Sequence, residues 1–393
     1  MCLAACGGSP KQTSEVFAFS GSSNLKLRED LSLDAPISAT LAQGERVEVL
    51  ELRRRFAHVA TEAGVTGWVD SASLMTTSEI EDLNGLTEAA LSRPPQGAAT
   101  VLDTLNVHTG PYRTAPSFTQ LHEGDVIQVI EHRVTLRNSG PQPLPKSIPH
   151  VEGFASSGLD PDEDEPLPDP MPRPPLPPAH WQKISVPRLR DLPGYRNGRP
   201  RSAADDWLLI LTPDGQAGWV LMRMVFSMVP DQVGRYAEGN FVMSYFPLGE
   251  VYDAQRGETM PTYLWATSSD ALQPSDFDSF RVFSYSTRRH RYETAYRQNN
   301  LEGRYPVELV PLPDTDDPGF SIVTEDDDGQ LTRQIFAFNG SRVRRIRSEP
   351  YKAPAPVPEV RLSDTFDVVQ TPVEELSWPE RIRVSALNLF RND

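Results

Sequence analysis

The chain has 393 residues, which at about 150 residues per domain predicts two or three domains, and it contains 37 prolines, two cysteines and a formal net charge of -16 at pH 7. The composition excludes a transmembrane bundle, because no stretch approaches the ~18 apolar residues that span a bilayer, and two cysteines exclude a disulfide scaffold or a thiolate zinc site. The excess of acidic over basic residues argues against a nucleic-acid partner, because sequence-independent binding to nucleic acid needs clustered cations.

Both cysteines, Cys2 and Cys6, lie at the N-terminus. Leu3-Ala4-Ala5-Cys6 resembles the lipobox of bacterial lipoproteins, which implies cleavage before Cys6 and a membrane anchor of several acyl chains on it. The small polar residues that follow suit a flexible tether, so residues 1–14 are predicted to be a lipobox and tether. By resemblance to Gram-negative sorting rules, Gly7 after the cysteine favours a periplasm-facing lipoprotein of the outer membrane.

The stretch before Cys6 is short for a secretory signal. Such a signal needs a basic segment and an apolar stretch of ~7–15 residues before its cleavage site, whereas five residues precede Cys6. The lipoprotein interpretation is therefore expected to involve either a start codon upstream of Met1 or a shortened N-terminus. The alternative is an accidental match, with Cys2 and Cys6 as free thiols of a cytoplasmic protein.

Residues 15–76 have apolar side chains at every second position between turns, which predicts the short strands of a small β-barrel. The order of Asn24-Leu25-Lys26-Leu27-Arg28, Leu41-x-x-Gly44 and Gly67-Trp68-Val69 resembles that of bacterial Src-homology-3-like domains. The first strand continues into Glu29-Asp30-Leu31, where members of the family usually have Ser-Gly-Pro. Residues 77–98 are predicted to be a linker.

The same order recurs in residues 99–229. The segment Leu105–Pro111 is close to the family's opening, with His108 where arginine is usual, and it is followed by Leu121-x-x-Gly124 and then by Gly218-Trp219-Val220. Two copies at matching spacings constitute an internal repeat. We therefore predict a second Src-homology-3-like barrel, interrupted by an insert at residues 134–206.

The insert is rich in proline and contains the acidic run 160–165, a composition that favours extended polyproline II structure. Pro174 and Pro177 have the Pro-x-x-Pro spacing that eukaryotic Src-homology-3 domains bind, so the insert could occupy its own barrel. The alternative is a solvated loop, whose length costs little closure entropy. The sequence leaves open whether the insert binds in cis or in trans.

Residues 235–350 are aromatic-rich and alternate in polarity, which predicts an antiparallel meander or sandwich, with a hairpin at Asp328-Gly329. Two segments of this domain are cationic, and their side chains Arg289, Arg291 and Arg344 could bind phosphate or carboxylate. The alternative is that they neutralise acidic side chains on neighbouring strands. Residues 351–393 form a predicted tail, with a short amphipathic helix beginning near Trp378.

The expected fold is thus mostly β: two small barrels, a β-rich domain, a long Pro-rich insert and a tail. No metal or other cofactor is predicted, because the acidic runs 314–317 and 325–328 lack the spacing of an EF-hand loop and the seven histidines have no zinc-site spacing. The positions of the two cysteines exclude a cysteine nucleophile, and no fingerprint of a serine hydrolase or nucleotide-binding enzyme occurs.

The predicted function is that of a non-enzymatic binding or scaffold protein of the cell envelope. The resemblance implies recognition of cell-wall peptides or envelope proteins, with His108, Trp219 and Trp68 on the binding face. The alternative for the two tryptophans is a place in the core. A rival hypothesis is an envelope hydrolase, which would require His290 and two carboxylates in one concave pocket. A third is a cytosolic scaffold for protein interactions.

Overall fold

The computed structural model describes residues 12–32, 34–137, 139–141, 146–149, 195–196, 199–200, 204–313 and 315–372. Cys6 with its lipobox, most of the predicted insert and the helix expected near Trp378 lie outside the described residues. Within these ranges, no helix is long and apolar enough to cross a membrane.

Strands make up most of the described secondary structure, so the prediction of a mostly β protein is confirmed. They are β1 (Gln12–Ser20), β2 (Leu25–Arg28), β3 (Ile37–Leu41), β4 (Arg46–Arg53), β5 (Phe56–Thr61), β6 (Thr66–Asp70), β7 (Leu74–Met75), β8 (Gly97–Val101), β9 (Leu105–His108), β10 (Ser117–Leu121), β11 (Val126–Leu136), β12 (Tyr195–Arg196), β13 (Arg199–Pro200), β14 (Ala204–Leu211), β15 (Ala217–Leu221), β16 (Val225–Ser227), β17 (Phe241–Asp253), β18 (Glu258–Ser268), β19 (Ser279–Ser286), β20 (Arg291–Gln298), β21 (Gly303–Val310), β22 (Gly319–Glu325), β23 (Leu331–Phe338), β24 (Val343–Pro350) and β25 (Asp367–Pro372). The α-helices are α1 (Thr77–Leu91) and α2 (Asp231–Gly234), and single 3-10 turns lie at Ser71–Ser73, Met222–Met224 and Arg235–Ala237.

The described residues divide into two compact units. The first is drawn from residues 1–78, 144–163 and 363–393, and the second from residues 79–143 and 164–362. The finer boundaries at 76, 98 and 229 stay predictions.

The first unit contains a sheet with the strand order β25-β1-β4-β5-β6-β2-β3, and β7 also pairs with β1. Its core is apolar because every second residue of the strands faces inward; the core residues are Val16, Ala18, Leu27, Leu41, Val47, Val49, Ala57, Val59, Val69, Leu74 and Phe366. Strand β25 lies antiparallel to β1 from Gln12 opposite Pro372 to Phe17 opposite Asp367. A segment assigned to the tail therefore completes the N-terminal sheet.

The second unit contains a sheet with the order β10-β9-β15-β14-β11-β8-β16. Matched strand by strand, this is the order β3-β2-β6-β5-β4-β1-β7 of the first sheet. The insert lies between β11 and β14, which pair from Gln128 opposite Leu211 to Leu136 opposite Ala204, just as β4 and β5 pair in the first unit. Among the described strands neither ladder closes on itself, so both are open sheets where barrels were expected.

Two antiparallel meanders, β17 to β20 and β21 to β24, complete the second unit. Aromatic rings fill the space between them: the Phe280 ring centroid lies 5.8 Å from that of Phe320 and 5.4 Å from that of Phe336. A second apolar cluster, which includes Trp265, Phe283 and Val233 of α2, covers the other face of the first meander. The predicted meander or sandwich is confirmed as two packed meanders.

The glycine of the second Gly-Trp-Val segment is tightly enclosed. A Cβ on Gly218 would lie 2.3 Å from Cγ1 of Val107 and 2.7 Å from Cζ of Phe118, and both side chains are fully buried. We expect Gly218→Ala to lower the free energy of unfolding by about 1–3 kcal/mol, because overpacking moves buried neighbours. Urea denaturation followed by tryptophan fluorescence measures the loss.

Gly234→Ala is the matched control for this substitution. Gly234 has helical φ and ψ in α2, and a Cβ there meets open space. The control is expected to leave the free energy of unfolding unchanged or to raise it by up to about 1 kcal/mol. Equal losses in the two variants would contradict the packing argument.

Candidate ligand-binding site

An aromatic and cationic surface, which we call the Trp68 surface, is formed by Arg53, His58 and Trp68 in the first unit. The His58 ring stacks on the half-buried indole of Trp68, with centroids 4.9 Å apart and planes 25° apart. The Arg53 guanidinium lies 5.3 Å from the centroid of the same indole, and its side chain is 56% exposed. An exposed guanidinium beside flat rings can bind a carboxylate while the rings contact an apolar group.

Strand pairing and a β-bulge position these three side chains. His58 of β5 lies directly opposite Trp68 of β6, so both rings project from the same face. A bulge between Val49 and Glu51 shifts the register of β4 against β5, as bulges commonly do where they redirect a side chain. Nε of Arg53 donates a hydrogen bond of 2.7 Å to Oε1 of Glu51, which orients the guanidinium.

The second unit repeats this arrangement. The Arg133 guanidinium lies 4.7 Å from the centroid of the Trp219 ring, and its Nη2 donates to Oε1 of Glu131 at 2.8 Å. The corresponding bulge lies between Val129 and Glu131. Glu51-Leu52-Arg53 and Glu131-His132-Arg133 are therefore equivalent segments, each presenting an arginine to the tryptophan of a Gly-Trp-Val strand.

The second copy is covered. The Trp219 side chain is 1% exposed, and Nη1 of Arg133 lies 3.3 Å from Oε1 of Glu359. Glu359 belongs to residues 351–361, an extended segment rich in proline that we call the strap. Nη2 of Arg93 donates to the carbonyl oxygen of Ala355 at 2.5 Å, and Arg361 donates to Asp82 of α1. The first copy thus presents an accessible arginine and indole, whereas the strap and α1 enclose the second.

His108, which sequence analysis placed on the binding face, is engaged by its own domain. Its Nδ1 lies 2.8 Å from the carbonyl oxygen of Ala115, and its ring meets Trp207 edge to face at 5.4 Å. Burial lowers the pKa of His108 against the opposing effect of the Ala115 carbonyl. Through its contacts with Ala115 and Trp207, the half-buried ring of His108 connects the loop before β10 to the sheet.

Residues 23–75 match the family described as "Bacterial SH3 domain". The match spans β2 to β7 and includes the Trp68 surface. No curated protein matches the sequence. Similar solved structures include an NlpC/P60 family protein from Bacillus cereus, with 9% identity, coverage of 87% of this chain and 97% of that chain, and a TM-score of 0.19. Two others are NlpC2 and NlpC1 from Trichomonas vaginalis, each with 11% identity over 92% of this chain and TM-scores of 0.15, covering 97% and 96% of those chains.

The cationic segments of the second unit lie on separate strands and turns. Arg289 and Arg291 both contact Oε1 of Glu293, at 2.6 Å and 3.3 Å, and the hydrogen bond from Arg289 holds the pKa of Glu293 below its ordinary value. Arg344 is exposed on β24. Among the described residues no polar contact joins Arg344 to either of the other two arginines, and a shared anion site at these three side chains stays a prediction.

His290 contacts one carboxylate. Its Nδ1 lies 2.6 Å from Oδ2 of the buried Asp253, and its Nε2 lies 2.7 Å from Oε1 of Gln255. The hydrolase hypothesis needs two carboxylates with His290 in one pocket, and among the described residues Asp253 is the carboxylate that the ring contacts. Across the same residues, no group of histidine, cysteine, aspartate and glutamate side chains is arranged to hold a metal ion.

A histidine between two carboxylates does occur, at a position that sequence analysis did not single out. Nε2 of His132 lies 3.3 Å from Oδ1 of Asp206, and Nδ1 lies 3.2 Å from Oδ1 of Asp276. Burial alone lowers the pKa of His132, but the two carboxylates outweigh burial and raise that pKa to about 9. At neutral pH the imidazole is therefore a cation that donates to both aspartates. It bridges β11, β14 and the loop before β19. A protonated imidazole cannot act as a base.

Proposed function

We propose that the protein is a cell-envelope binding protein whose first SH3 domain takes carboxylate-bearing cell-wall peptides on the Trp68 surface. The observation that carries this proposal is the family match over residues 23–75, because it includes an exposed arginine stacked on a half-buried indole. Peptide stems of the cell wall carry free carboxylates and small apolar side chains. Such a ligand pairs its carboxylate with Arg53 and packs against the rings of His58 and Trp68.

The proposal includes a second SH3-like domain at residues 99–229. Its support is the shared strand order of the two sheets and the repeated glutamate, arginine and tryptophan arrangement around Trp219. In this copy the strap and α1 take the place of an external ligand. The second domain then acts as a scaffold, and ligand binding belongs to the first.

The proposal also retains a lipid anchor at Cys6, which places the protein at the periplasmic face of the outer membrane. Its support is the lipobox-like Leu3-Ala4-Ala5-Cys6 and the polar residues after it. The mass of the N-terminal peptide from the native host tests this point. An acylated Cys6 at the mature N-terminus is the expected result, and an unmodified Met1 would rule the anchor out.

Co-sedimentation with purified peptidoglycan sacculi tests the binding function. The full chain is expected to sediment with sacculi, and Arg53→Gln is expected to weaken binding about tenfold or more, because a charge-assisted hydrogen bond contributes about 1.5–3 kcal/mol. Trp68→Ala should weaken binding to a similar extent through the lost ring contact.

Arg54→Gln is the matched control, because Arg54 is the exposed neighbour of Arg53 and does not lie over Trp68. It should retain most of the affinity. Two results would count against the proposal: a native chain that stays in the supernatant, or equal losses in the Arg53 and Arg54 variants.

A further inference from the structure

A cavity of about 670 Å³ lies in the second unit beside β16, the edge strand of the seven-stranded sheet. Large apolar side chains line it, and three of them, Leu102, Phe226 and Phe241, remain exposed, with Phe226 at 63%. Soluble proteins seldom leave several such side chains exposed around one cavity unless the surface binds something. The volume lies within the range of about 300–1,000 Å³ that is usual for small-ligand sites.

At one wall of this cavity, arginine side chains surround Asp205, and two of them, Arg137 and Arg223, line the cavity itself. Asp205, which is 3% exposed, accepts hydrogen bonds from Arg113 and Arg137, and Nη1 of Arg223 lies 3.7 Å from its Oδ1. A single carboxylate thus faces three guanidinium groups. Arg223 is the least engaged of the three, because its side chain is 57% exposed and its separation from Asp205 is the longest.

Other charged groups line the cavity as well. Asp206 contacts His132, which it shares with Asp276, and accepts from the backbone N–H of Leu272. Asp231 and Arg235 are both exposed at the cavity and carry opposite charges. The positive charge around Asp205 is therefore local, in a chain whose net charge is -16.

We propose that this cavity binds a single-chain amphiphilic anion, an acyl or alkyl chain that ends in a carboxylate or phosphate. Arg223 and Arg137 hold the head group, and Leu102, Phe226 and Phe241 contact the chain. A neutral apolar ligand would not pair with the exposed guanidinium of Arg223, and a small polar anion would leave the apolar wall in contact with water. An amphiphile is the class of ligand that satisfies both parts of the wall.

Isothermal titration of the full chain with decanoate, undecanoate and dodecanoate, below their micelle concentrations, tests the proposal. Saturable binding is expected, with affinity rising about fourfold for each added methylene until the chain fills the cavity. The alcohols of the same chain lengths should bind about tenfold more weakly or worse, because a neutral hydroxyl cannot form a charge-assisted, bidentate pair with a guanidinium group. Decyl phosphate, run in parallel, distinguishes a phosphate head group from a carboxylate.

Two variants locate the site. Arg223→Gln should lower the affinity for dodecanoate about tenfold, and Phe226→Ser should lower it by a similar factor; circular dichroism confirms that each variant is folded. Arg344→Gln, which removes an exposed arginine from β24 in the same unit, should change nothing.

Three outcomes would overturn the proposal. They are equal affinities for the acids and the alcohols, equal losses in the Arg223 and Arg344 variants, and retention on anionic vesicles without any binding of the monomeric acids. The last result would mean that the exposed apolar side chains meet a membrane surface.

Discussion

Replacing His132 with glutamine is expected to lower the free energy of unfolding of the second unit by about 3 kcal/mol at pH 7. The variant leaves Asp206 and Asp276 without the cation that both contact in the native protein. Removing one member of a buried charged group costs about 3–5 kcal/mol, because the remaining charges stay desolvated and unpaired. The raised pKa of His132 leads to a similar value, since one pKa unit corresponds to about 1.4 kcal/mol.

The same bridge predicts a pH dependence of stability in the native protein. The pKa of His132 is about 9 in the folded state and near 6.5 in an unfolded chain. The folded state therefore binds the proton more tightly, so the stabilisation is complete below about pH 6.5 and is lost as pH rises towards 9. The variant with glutamine at position 132 should lack this part of the pH profile.

Urea denaturation at a series of pH values between 6 and 10 measures both effects. His122→Gln is the matched control, because His122 is exposed in the turn after β10 and should leave the free energy of unfolding within about 0.5 kcal/mol of the native value. A native chain whose stability is flat between pH 6.5 and 9 would refute the bridge even if the variant itself fails to fold.

Asp205→Asn is expected to lower the free energy of unfolding of the second unit by about 2–3 kcal/mol. The buried carboxylate of Asp205 accepts paired hydrogen bonds from Arg113 and from Arg137, and an asparagine amide offers one acceptor oxygen and no charge. The expected loss is smaller than for a fully buried pair, because the arginines keep part of their exposure to water. The loop before β10 and the end of β11 should then loosen together, since Arg113 and Arg137 meet at this residue.

The pH dependence of this group has the opposite sign. Burial alone raises the pKa of Asp205, but the hydrogen bonds from Arg113 and Arg137 outweigh it and lower that pKa below its ordinary value of 3.8. The stabilisation of the folded state by the Asp205 carboxylate is therefore complete above about pH 4 and is lost as pH falls further. Asp214→Asn, in the exposed turn between β14 and β15, is the control that should change the midpoint of urea denaturation little. Equal shifts in the two variants would show that Asp205 has no special role.

Much of the fold was predictable because its signals are local. Alternation of apolar residues and the glycine turns located many strands of both sheets and of the two meanders within a few residues. Strands β17, β18 and β25 were not predicted. The recurrence of Leu-x-x-Gly and Gly-Trp-Val at matching spacings predicted that residues 99–229 repeat the arrangement of residues 15–76, and the two sheets have the same strand order. The expectation of closed barrels was wrong, because among the strands that the structure describes β3 and β10 each have one hydrogen-bonded neighbour.

The candidate site was predicted in part. Trp68 was singled out through its Gly-Trp-Val segment, but Arg53 and His58 were not. A usable signal was present, since a glutamate and an arginine two residues apart recur at 51–53 and 131–133, after Val47-Glu48-Val49-Leu50 in one copy and Ile127-Gln128-Val129-Ile130 in the other. Its meaning depends on a bulge and on cross-strand pairing, neither of which a short sequence pattern encodes.

Periodicity and motif spacing were enough to predict a mostly β chain and an insert between two paired strands, because each depends on neighbours a few residues apart. They could not tell Trp68 from Trp219, which occupy the same motif. The half-buried Trp68 lies beside an exposed arginine, whereas the arginine over the buried Trp219 contacts Glu359, 226 residues away along the chain. Whether a side chain is exposed depends on which distant segment packs against it. The bridge from His132 to Asp276 likewise joins residues that lie 144 positions apart along the chain. Contacts of this kind are determined by the tertiary structure.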